Sequence, residues 1–308
     1  MVKQKIIFII NPRAGIGYYK KINHLLKKQL DVSKYDYELV STQYQGHGQV
    51  LSMEAVENGA AVVVAVGGDG TINEIARALV GTEVVFGFIP TGSGNGFAHH
   101  LRIPINISKA IKVINEQQIT AIDTLKINEK TCVNIAGMGF DARVAELFDQ
   151  SPKRGLLPYL YFVISSFFTY KSRTYVVEAN GEKKEHTAML ASVANSSQWG
   201  FNVKISPQAS ITDGYADICF VEKPPLYSLL YRAAQLLTGN IHRNKKAMSI
   251  YRFAKCVIYE KENANQPFHI DGDPKERQAR LEVEVLPKSL KIIVPRKLIV
   301  RKKGFKNF

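Results

Sequence analysis

The chain has 308 residues, 45% of them hydrophobic and 22% charged, which is room for about two domains and excludes a peptide, a disordered tail or a disulfide-stapled miniprotein. Lys and Arg number 41 against 27 Asp and Glu, a formal charge of +14, with seven basic and no acidic residues in 1–30 and eight and none in 286–308. Such an excess predicts an anionic partner (nucleic acid, nucleotide phosphates or an anionic membrane surface), although composition by itself favours a soluble domain with a basic face.

In chain order, Lys5–Ile10 is a continuous apolar run, as in a strand buried on both faces, and Asn11-Pro12 stops it. Tyr18–Leu30 places Ile22, Leu25, Leu26 and Leu30 on one helical face. A short strand over Tyr37–Val40 and a short helix over Gln49–Glu57 follow. Ala61–Val66 is again an all-apolar strand, ended by Gly67-Gly68, and Thr71–Val80 returns to helical spacing. Val84–Ile89 is a strand closed by Pro90 and a Gly-rich loop, and Ser108–Asn115 is a helix. This alternation predicts a parallel sheet with helices on both faces.

Beyond about Ala121 the texture changes. Ile122–Ile127 and Thr131–Ala136 flank a hairpin turn at Asn128-Glu129-Lys130, and Thr174–Ala179 and His186–Ala194 flank Asn180-Gly181, a strong hairpin signal. Tyr215–Val221, Ser249–Tyr259, Phe268–Asp271, Ala279–Leu286 and Leu290–Val294 read as further strands, with helices over Tyr159–Tyr170 and Leu226–Leu237. The pattern predicts an antiparallel, sandwich-like second domain. Cys132, Cys219 and Cys256 are widely spaced in apolar runs, without C-x-x-C, and read as reduced thiols of a cytosolic protein. The first residues enter a strand directly, so no signal peptide is expected. The longest apolar stretch, Tyr159–Tyr170, is short of the ~20 residues that span a bilayer.

The strongest chemical signal is Gly67-Gly68-Asp69-Gly70-Thr71, between a buried strand and a helix. Glycines let backbone approach an anion, and the helix beginning there aims its free N–H groups and positive dipole end at the same place. Asp69 would repel phosphate unless a cation intervenes, which suggests bridging Mg²⁺ or an acceptor hydroxyl. Pro90-Thr91-Gly92-Ser93-Gly94-Asn95-Gly96 ends the next strand, Asn11-Pro12-Arg13-Ala14-Gly15 the first, and Thr42 the second. All four turns then lie on the carboxyl edge where open α/β sheets bind ligands. No Walker A sequence occurs, and Gly137-x-Gly139-x-x-Ala142 lacks the downstream acidic residue of a dinucleotide fingerprint, so it is expected to shape a turn.

Asn11-Pro12-x-Ala14-Gly15, Gly67-Gly68-Asp69-Gly70-Thr71-x-Asn73-Glu74 and Gly92-Ser93-Gly94-Asn95, in that order, resemble the diacylglycerol kinase catalytic domain. The chain is most similar to the soluble bacterial lipid kinases of that superfamily, which also contains sphingoid-base kinases. Asn134 to Ala142, Asp213-Gly214 and Asp271-Gly272-Asp273 extend the resemblance over most of the chain. It implies ATP- and Mg²⁺-dependent phosphorylation of a lipid hydroxyl in phospholipid metabolism. It also implies an N-terminal Rossmann-like parallel-sheet α/β domain (1–123, to which the tail 296–308 is able to return), a C-terminal antiparallel β-sandwich domain (124–295) and a cleft between them. Carried over, Asn11, Pro12, Arg13, Ala14, Gly15, Thr42, Gly67, Gly68, Asp69, Gly70, Thr71, Ile72, Asn73, Gly92, Ser93, Gly94 and Asn95 would hold ATP. Asp213 would anchor a structural Mg²⁺ with the carbonyls of Ser210 and Tyr215.

The family's Asp-Gly-Glu base position is Asp273 here, with Asp271 two residues earlier and on the same side of an extended strand, so the base is either Asp273 or Asp271. Gly96 where the bacterial pattern has Asp, and Ser93 for Thr, are closer to the sphingoid-base kinase variant, so the acceptor stays open among diacylglycerol, a sphingoid base, monoacylglycerol and a glycolipid. Ile16 stands where some relatives carry Lys, which shifts phosphate contact to Arg13. A lipid acceptor implies a cytoplasmic protein working peripherally at the inner membrane surface. Gly155–Tyr170 with its flanking Lys153, Arg154, Lys171 and Arg173 suits an acyl pocket or the interface, though a buried helix is an equal reading. His242-Arg243-Asn244-Lys245-Lys246 suits anionic headgroups or plain solvent. NAD kinases share Gly-Gly-Asp-Gly-Thr, but there the Asn-Glu pair lies well downstream. A catalytically silent lipid- or nucleotide-binding protein is the reading from another class. No nucleic-acid motif is present, and a homodimer is left open.

Overall fold

The computed structural model describes residues 3–14, 18–152, 155–244, 246–262 and 265–296, and these separate into two compact units. The first unit holds the described residues up to Thr124 and those from Pro287 onward; Leu125–Leu286 form the second.

The first unit runs β1 (Gln4–Ile10), α1 (Tyr18–Gln29), β2 (Tyr35–Ser41), α2 (His47–Glu57), β3 (Val62–Gly67), α3 (Asp69–Leu79), β4 (Val85–Pro90), α4 (Gly96–Leu101) and α5 (Ile107–Glu116). The four strands are parallel in the order β2-β1-β3-β4. Ile6, Phe8, Ile10, Val62, Val64 and Val66 point to one face and cluster with Ile22 and Leu26 of α1 and Ile111 and Ile114 of α5. The alternate positions Ile7, Ile9, Val63 and Ala65 are buried as well, as are Ile72, Ile75, Ala76 and Leu79 of α3. Both faces are therefore covered, which is why these strands are unbroken apolar runs; each side chain so buried contributes about 1.5–3 kcal/mol. Unpredicted α4 is only six residues long and bears no periodic apolar stripe.

From the first unit the chain leaves along β5 (Ile119–Ile127) and returns along β18 (Arg280–Ile293). Between them come β6 (Lys130–Cys132), β7 (Ile135–Gly139), α6 (Phe140–Asp149), α7 (Leu156–Thr169), β8 (Arg173–Ala179), β9 (Glu182–Ala188), β10 (Leu190–Ala194), β11 (Gln198–Gly200), β12 (Val203–Lys204), β13 (Ala216–Val221), α8 (Leu229–Thr238), β14 (Met248–Phe253), β15 (Lys255–Glu260), β16 (Gln266–Ile270) and β17 (Asp273–Gln278). In the second unit, one antiparallel sheet has the order β14-β13-β10-β7-β16-β17. The other carries β18, β15, β8 and β9, with β5 and β6 beside β18. Met138, Val193, Phe220 and Phe268 of the first sheet interleave with Tyr175, Val177, Ile258 and Val283 of the second, making a β-sandwich core. The outer face of the six-stranded sheet is covered by α6, α7 and α8.

The fold class is the predicted one, α/β followed by an antiparallel sandwich. The differences lie where a strand changes partners. His186–Ala194, read as one strand, is β9 in one sheet and β10 in the other; Ser249–Tyr259 divides likewise into β14 and β15. Apolar alternation does not register which sheet a strand pairs with, so these corners leave no local mark. Conversely, Ala279–Leu286 and Leu290–Val294 join as β18 through Pro287 and Lys288 (φ +51°), whose N–H donates to Asp123 Oδ1 at 2.8 Å. Gly137-x-Gly139, expected to shape a turn, makes the corner from β7 into the unpredicted helix α6. Gly139 there has φ +97°, and a Cβ on it would lie 2.3 Å from Tyr175 Oη.

Candidate active site

The parallel register sets the carboxyl ends of four strands in a row. Ile10 pairs with Ser41 and with Val66, and Gly67 pairs with Pro90. Asn11, Thr42, Gly68 and Thr91 are the next residues of their strands, so all four predicted turns lie on one edge. Backbone bonds lock the row: Asn11 N–H to Val66 O at 2.9 Å, Thr42 N–H to Ile10 O at 2.9 Å, and Thr91 N–H to Gly67 O at 2.8 Å.

The two Gly-rich turns touch backbone to backbone. A Cβ on Gly92 would lie 2.6 Å from Gly68 Cα, a distance side-chain rotation cannot relieve. A Cβ on Gly67 would meet the Thr71 side chain at 2.6 Å. Thr71 Oγ1 in turn accepts from Asn11 Nδ2 at 2.9 Å, tying the first turn to the third. Asn11 Oδ1 also accepts the Arg13 N–H at 2.9 Å, a side-chain turn that leaves Pro12 and Arg13 exposed. Ala14 O accepts from Thr91 Oγ1 at 3.3 Å; Gly15 lies outside the described residues. Gly68 is the N-cap of α3 and has no side chain to offer, so the first N–H groups of that helix remain for an anion. Ser93 is exposed, Gly94 half-buried and Gly70 exposed, while Ile72 and Asn73 are buried within α3. Glu74 serves a neighbour, its Oε1 accepting the Gly48 N–H at 3.1 Å where the Gly46 cap of α2 has no side chain.

Asp69 is anchored by α4. Its carboxylate accepts the backbone N–H groups of Asn95, Gly96 and Phe97, the start of that helix. Burial raises its pKa above the ordinary value, and those three N–H groups act against the rise. Its Oδ1 is buried without a hydrogen-bond partner, as is Asn95 Oδ1, although Asn95 Nδ2 donates to Gly92 O at 2.7 Å. Two unpartnered acceptor oxygens beside a phosphate-type helix start fit a hydrated divalent cation carried on phosphates. Mg²⁺ ordinarily needs only one or two protein carboxylates there. Among the described residues no cluster of three or more His, Cys, Asp or Glu could form an all-protein metal cage.

In the second unit, Asp271 and Gly272 have φ +55° and +85° and form the tight turn between β16 and β17, with Ile270 paired to Asp273. The turn separates the two acids, which are not on one side of an extended strand. Asp271 is buried. Its Oδ1 accepts N–H from Asn134 (2.7 Å) and Ile135 (3.1 Å) and Sγ–H from Cys132 (3.2 Å), and its Oδ2 accepts N–H from Val133 (3.1 Å). These bonds are the reason the predicted strand Thr131–Ala136 breaks into β6 and β7: its N–H groups turn to a carboxylate. Asp273 is half-buried with a long ion pair to Lys275 at 3.8 Å. Under this turn sits His269, whose Nδ1 accepts the Gly272 N–H at 3.3 Å. That fixes the proton on Nε2, which faces Asp141 Oδ2 at 3.2 Å; Ser192 Oγ donates to the same oxygen at 2.9 Å. Gly137 makes room: a Cβ there would lie 2.1 Å from Asp141 Oδ2 and 2.8 Å from His269 Nε2. No local sequence signal marks His269 or Ser192, and Asp141 lies without an assigned role in the Asn134 to Ala142 stretch that carries the resemblance.

Asp213, the expected anchor of a structural Mg²⁺, has protein partners in this structure. Asp213 Oδ1 accepts the Tyr215 N–H at 3.2 Å and its Oδ2 pairs with Arg252 at 3.3 Å, while Ser210 Oγ faces Thr212 Oγ1 at 3.4 Å. The Arg252 guanidinium also reaches Asp217 at 3.6 Å.

The family model for the diacylglycerol kinase catalytic domain matches residues 5–127, and that for the YegS C-terminal NAD kinase beta sandwich-like domain matches 134–294. The chain belongs to the diacylglycerol kinase-like lipid kinase family. A protein of Citrobacter koseri named "Probable lipid kinase YegS-like" is 27% identical over 261 residues, 82% of this chain and 85% of that one. The diacylglycerol kinase of Staphylococcus carnosus is 26% identical over 279 residues, 88% and 89% of the two chains. A crystal structure of a diacylglycerol kinase from Bacillus anthracis superposes with a TM-score of 0.73 at 19% identity, covering 97% of this chain and 100% of that one, and shares the fold.

Proposed function

We propose that this protein transfers the γ-phosphate of ATP to the hydroxyl of a lipid, with diacylglycerol the preferred acceptor, as a step in phospholipid metabolism. The observation that carries the reading is the row of four turns on the edge of the parallel sheet, in which glycine backbones and the open start of α3 converge beside Asp69. Phosphoryl transfer asks chiefly for positioning and charge neutralisation. Asn11 to Gly15, Thr42, Gly67 to Asn73 and Gly92 to Asn95 hold the nucleotide, and the exposed Arg13 supplies positive charge. Mg²⁺, when bound, neutralises charge on the phosphates, and the unpartnered Asp69 Oδ1 and Asn95 Oδ1 are the oxygens available to it.

The base is Asp273. Asp271 is buried with three backbone N–H groups on its carboxylate, whereas Asp273 is half-buried at the start of β17 and matches the family's base position. The enzyme works from the cytoplasm at an anionic inner membrane surface, because its acceptor resides there; a homodimer is compatible with this reading.

The test is an assay with γ-labelled ATP against diacylglycerol, monoacylglycerol, a sphingoid base and NAD, with and without Mg²⁺. Labelled phosphatidic acid is the expected product. Labelled NADP in its place would overturn the reading, as would ATP binding with no lipid labelled.

A further inference from the structure

Helices α7 and α8 are apolar on two sides. Tyr159, Phe162 and Val163 of α7, and Leu229 and Leu236 of α8, pack on the outer face of the six-stranded sheet with Ile135, Leu190, Cys219 and Val221. A helix satisfied by that packing would be polar on its far side. Instead Leu157 (79% exposed), Tyr161, Ile164 and Phe168 (62%) form a stripe along α7, spaced four, three and four residues apart. Beside α8, Tyr227 (91%) lies in the turn that leads into it, and Leu230 (86%) and Tyr231 open its outer face. Both helices cover the same side of one sheet, and Lys223, just before the α8 segment, donates to Tyr170 O at 2.6 Å at the end of α7. The exposed aromatic and aliphatic side chains thus belong to one face, larger in kind than the scattered apolar residues of ordinary surfaces.

The chain segments that carry this face are basic, and one of their arginines, Arg173, pairs with Glu260 at 2.8 Å. Residues 150–177 contain four Lys/Arg and no Asp or Glu, and residues 223–247 contain five and none. A protein partner would be matched as well by mixed charge, whereas basic excess in the segments that present the apolar side chains is what an anionic surface selects. No described helix is long and apolar enough to cross a membrane. We infer that the α7–α8 face lies on an anionic lipid bilayer, with its Leu, Phe and Tyr side chains among the upper acyl chains and its Lys and Arg at the headgroups. The inference deepens the proposed lipid kinase reading by naming the surface through which the enzyme meets its acceptor.

The experiment is flotation of the full chain with vesicles of phosphatidylcholine, alone or mixed with phosphatidylglycerol, at low and high salt and without ATP. Leu157→Asp and Leu230→Asp are compared with wild type; both side chains are exposed, and thermal melting by circular dichroism checks that the fold is retained. Wild type is expected to float with the anionic vesicles and to be released by salt. Each variant is expected to lower the partition coefficient about tenfold, the equivalent of one large apolar side chain left out of the bilayer. Activity on a short-chain, monomerically dispersed acceptor should be unchanged. Wild-type-like flotation of both variants would overturn the inference, as would no flotation of wild type. So would a dimer, seen by sedimentation equilibrium, that the variants dissociate while vesicle binding stays the same, since the face would then be an interface between two copies. Binding is read without turnover, so a failed kinase reading would leave the flotation result standing.

Discussion

At the edge of the parallel sheet, Gly68 and Gly92 meet main chain to main chain, and most of what faces the ligand side is N–H groups and the start of a helix. Around the Asp271–Gly272–Asp273 turn the construction is reversed. Four side chains from three segments, Asp141, Ser192, and His269 with Asp271, hold the backbone in place through hydrogen bonds spanning up to 139 residues of sequence. A backbone site tolerates no added atom, whereas a side-chain site tolerates volume but not the loss of a hydrogen-bond partner. The two regions should therefore fail differently under mutation.

The largest effect is expected from Asp273→Asn, which should lower kcat by about 10²–10⁴, the usual contribution of a general base, with the melting temperature unchanged. Its counterpart Asp271→Asn should show mainly in stability. An amide offers one acceptor oxygen and brings two donors toward the N–H groups of Val133, Asn134 and Ile135. Losing charge-assisted bonds to a buried carboxylate costs about 1.5–3 kcal/mol each, measurable by urea unfolding. If Asp271→Asn kept full stability and lost turnover while Asp273→Asn did not, the assignment of the base would be reversed.

Asp69→Asn should reduce kcat by about 10²–10³ without destabilising the protein. Burial raises the folded-state pKa of Asp69, so between its unfolded and folded values the native chain holds more protons than the unfolded one. Stability contributed by this group therefore falls as pH rises through that window, and the ionised carboxylate is a net cost above it. An amide still accepts from the start of α4 and removes the charge, so the variant should match or exceed wild type in melting temperature near neutral pH. The gap should narrow on acidification through the window. A clear destabilisation near neutral pH would mean that the cap on α4 outweighs the burial. Next in size, Gly92→Ala should destabilise by about 1–3 kcal/mol through overpacking, because its Cβ would meet the Gly68 main chain, while Ser93→Ala beside it should leave stability as it was.

The same contrast explains what could be read from the sequence. The phosphate edge was legible because each turn is contiguous: Gly67 to Thr71 and Gly92 to Asn95 announce strand, tight turn and helix start within a few residues, and parallel connection puts such turns on one edge. The second unit was legible only as strands. Nothing near Thr131–Ala136 reveals that a carboxylate 136 residues away will take the Ile135 N–H, so the break between β6 and β7 went unseen. Asp213 was assigned to a cation by resemblance, and only the structure brings Arg252, 39 positions on, within 3.3 Å of it. Gly137 was noticed as part of a motif whose reason, clearance for the Asp141–His269 contact, exists only in three dimensions.

The smallest expected effect isolates the side-chain frame itself. His269 touches neither nucleotide nor acceptor in the proposed scheme; it accepts the Gly272 N–H and presents Nε2–H to Asp141, so it acts on Asp273 through the turn. His269→Ala frees the Gly272 N–H and leaves Asp141 with Ser192 Oγ and the Ala142 N–H. Misplacing a base by an ångström costs about 10²-fold, and by a fraction of that about tenfold, so kcat should fall about tenfold while KM for ATP, set in the other unit, is unchanged. His269→Gln, whose amide can accept from one group and donate to the other, should recover most of the loss. A structural role alone would lower stability and leave the kcat of the folded fraction intact, so the ratio of kcat to active-site titre separates the two. Loss of stability with normal turnover per folded molecule would show that the turn needs no side-chain frame, and that the two regions differ less than their construction implies.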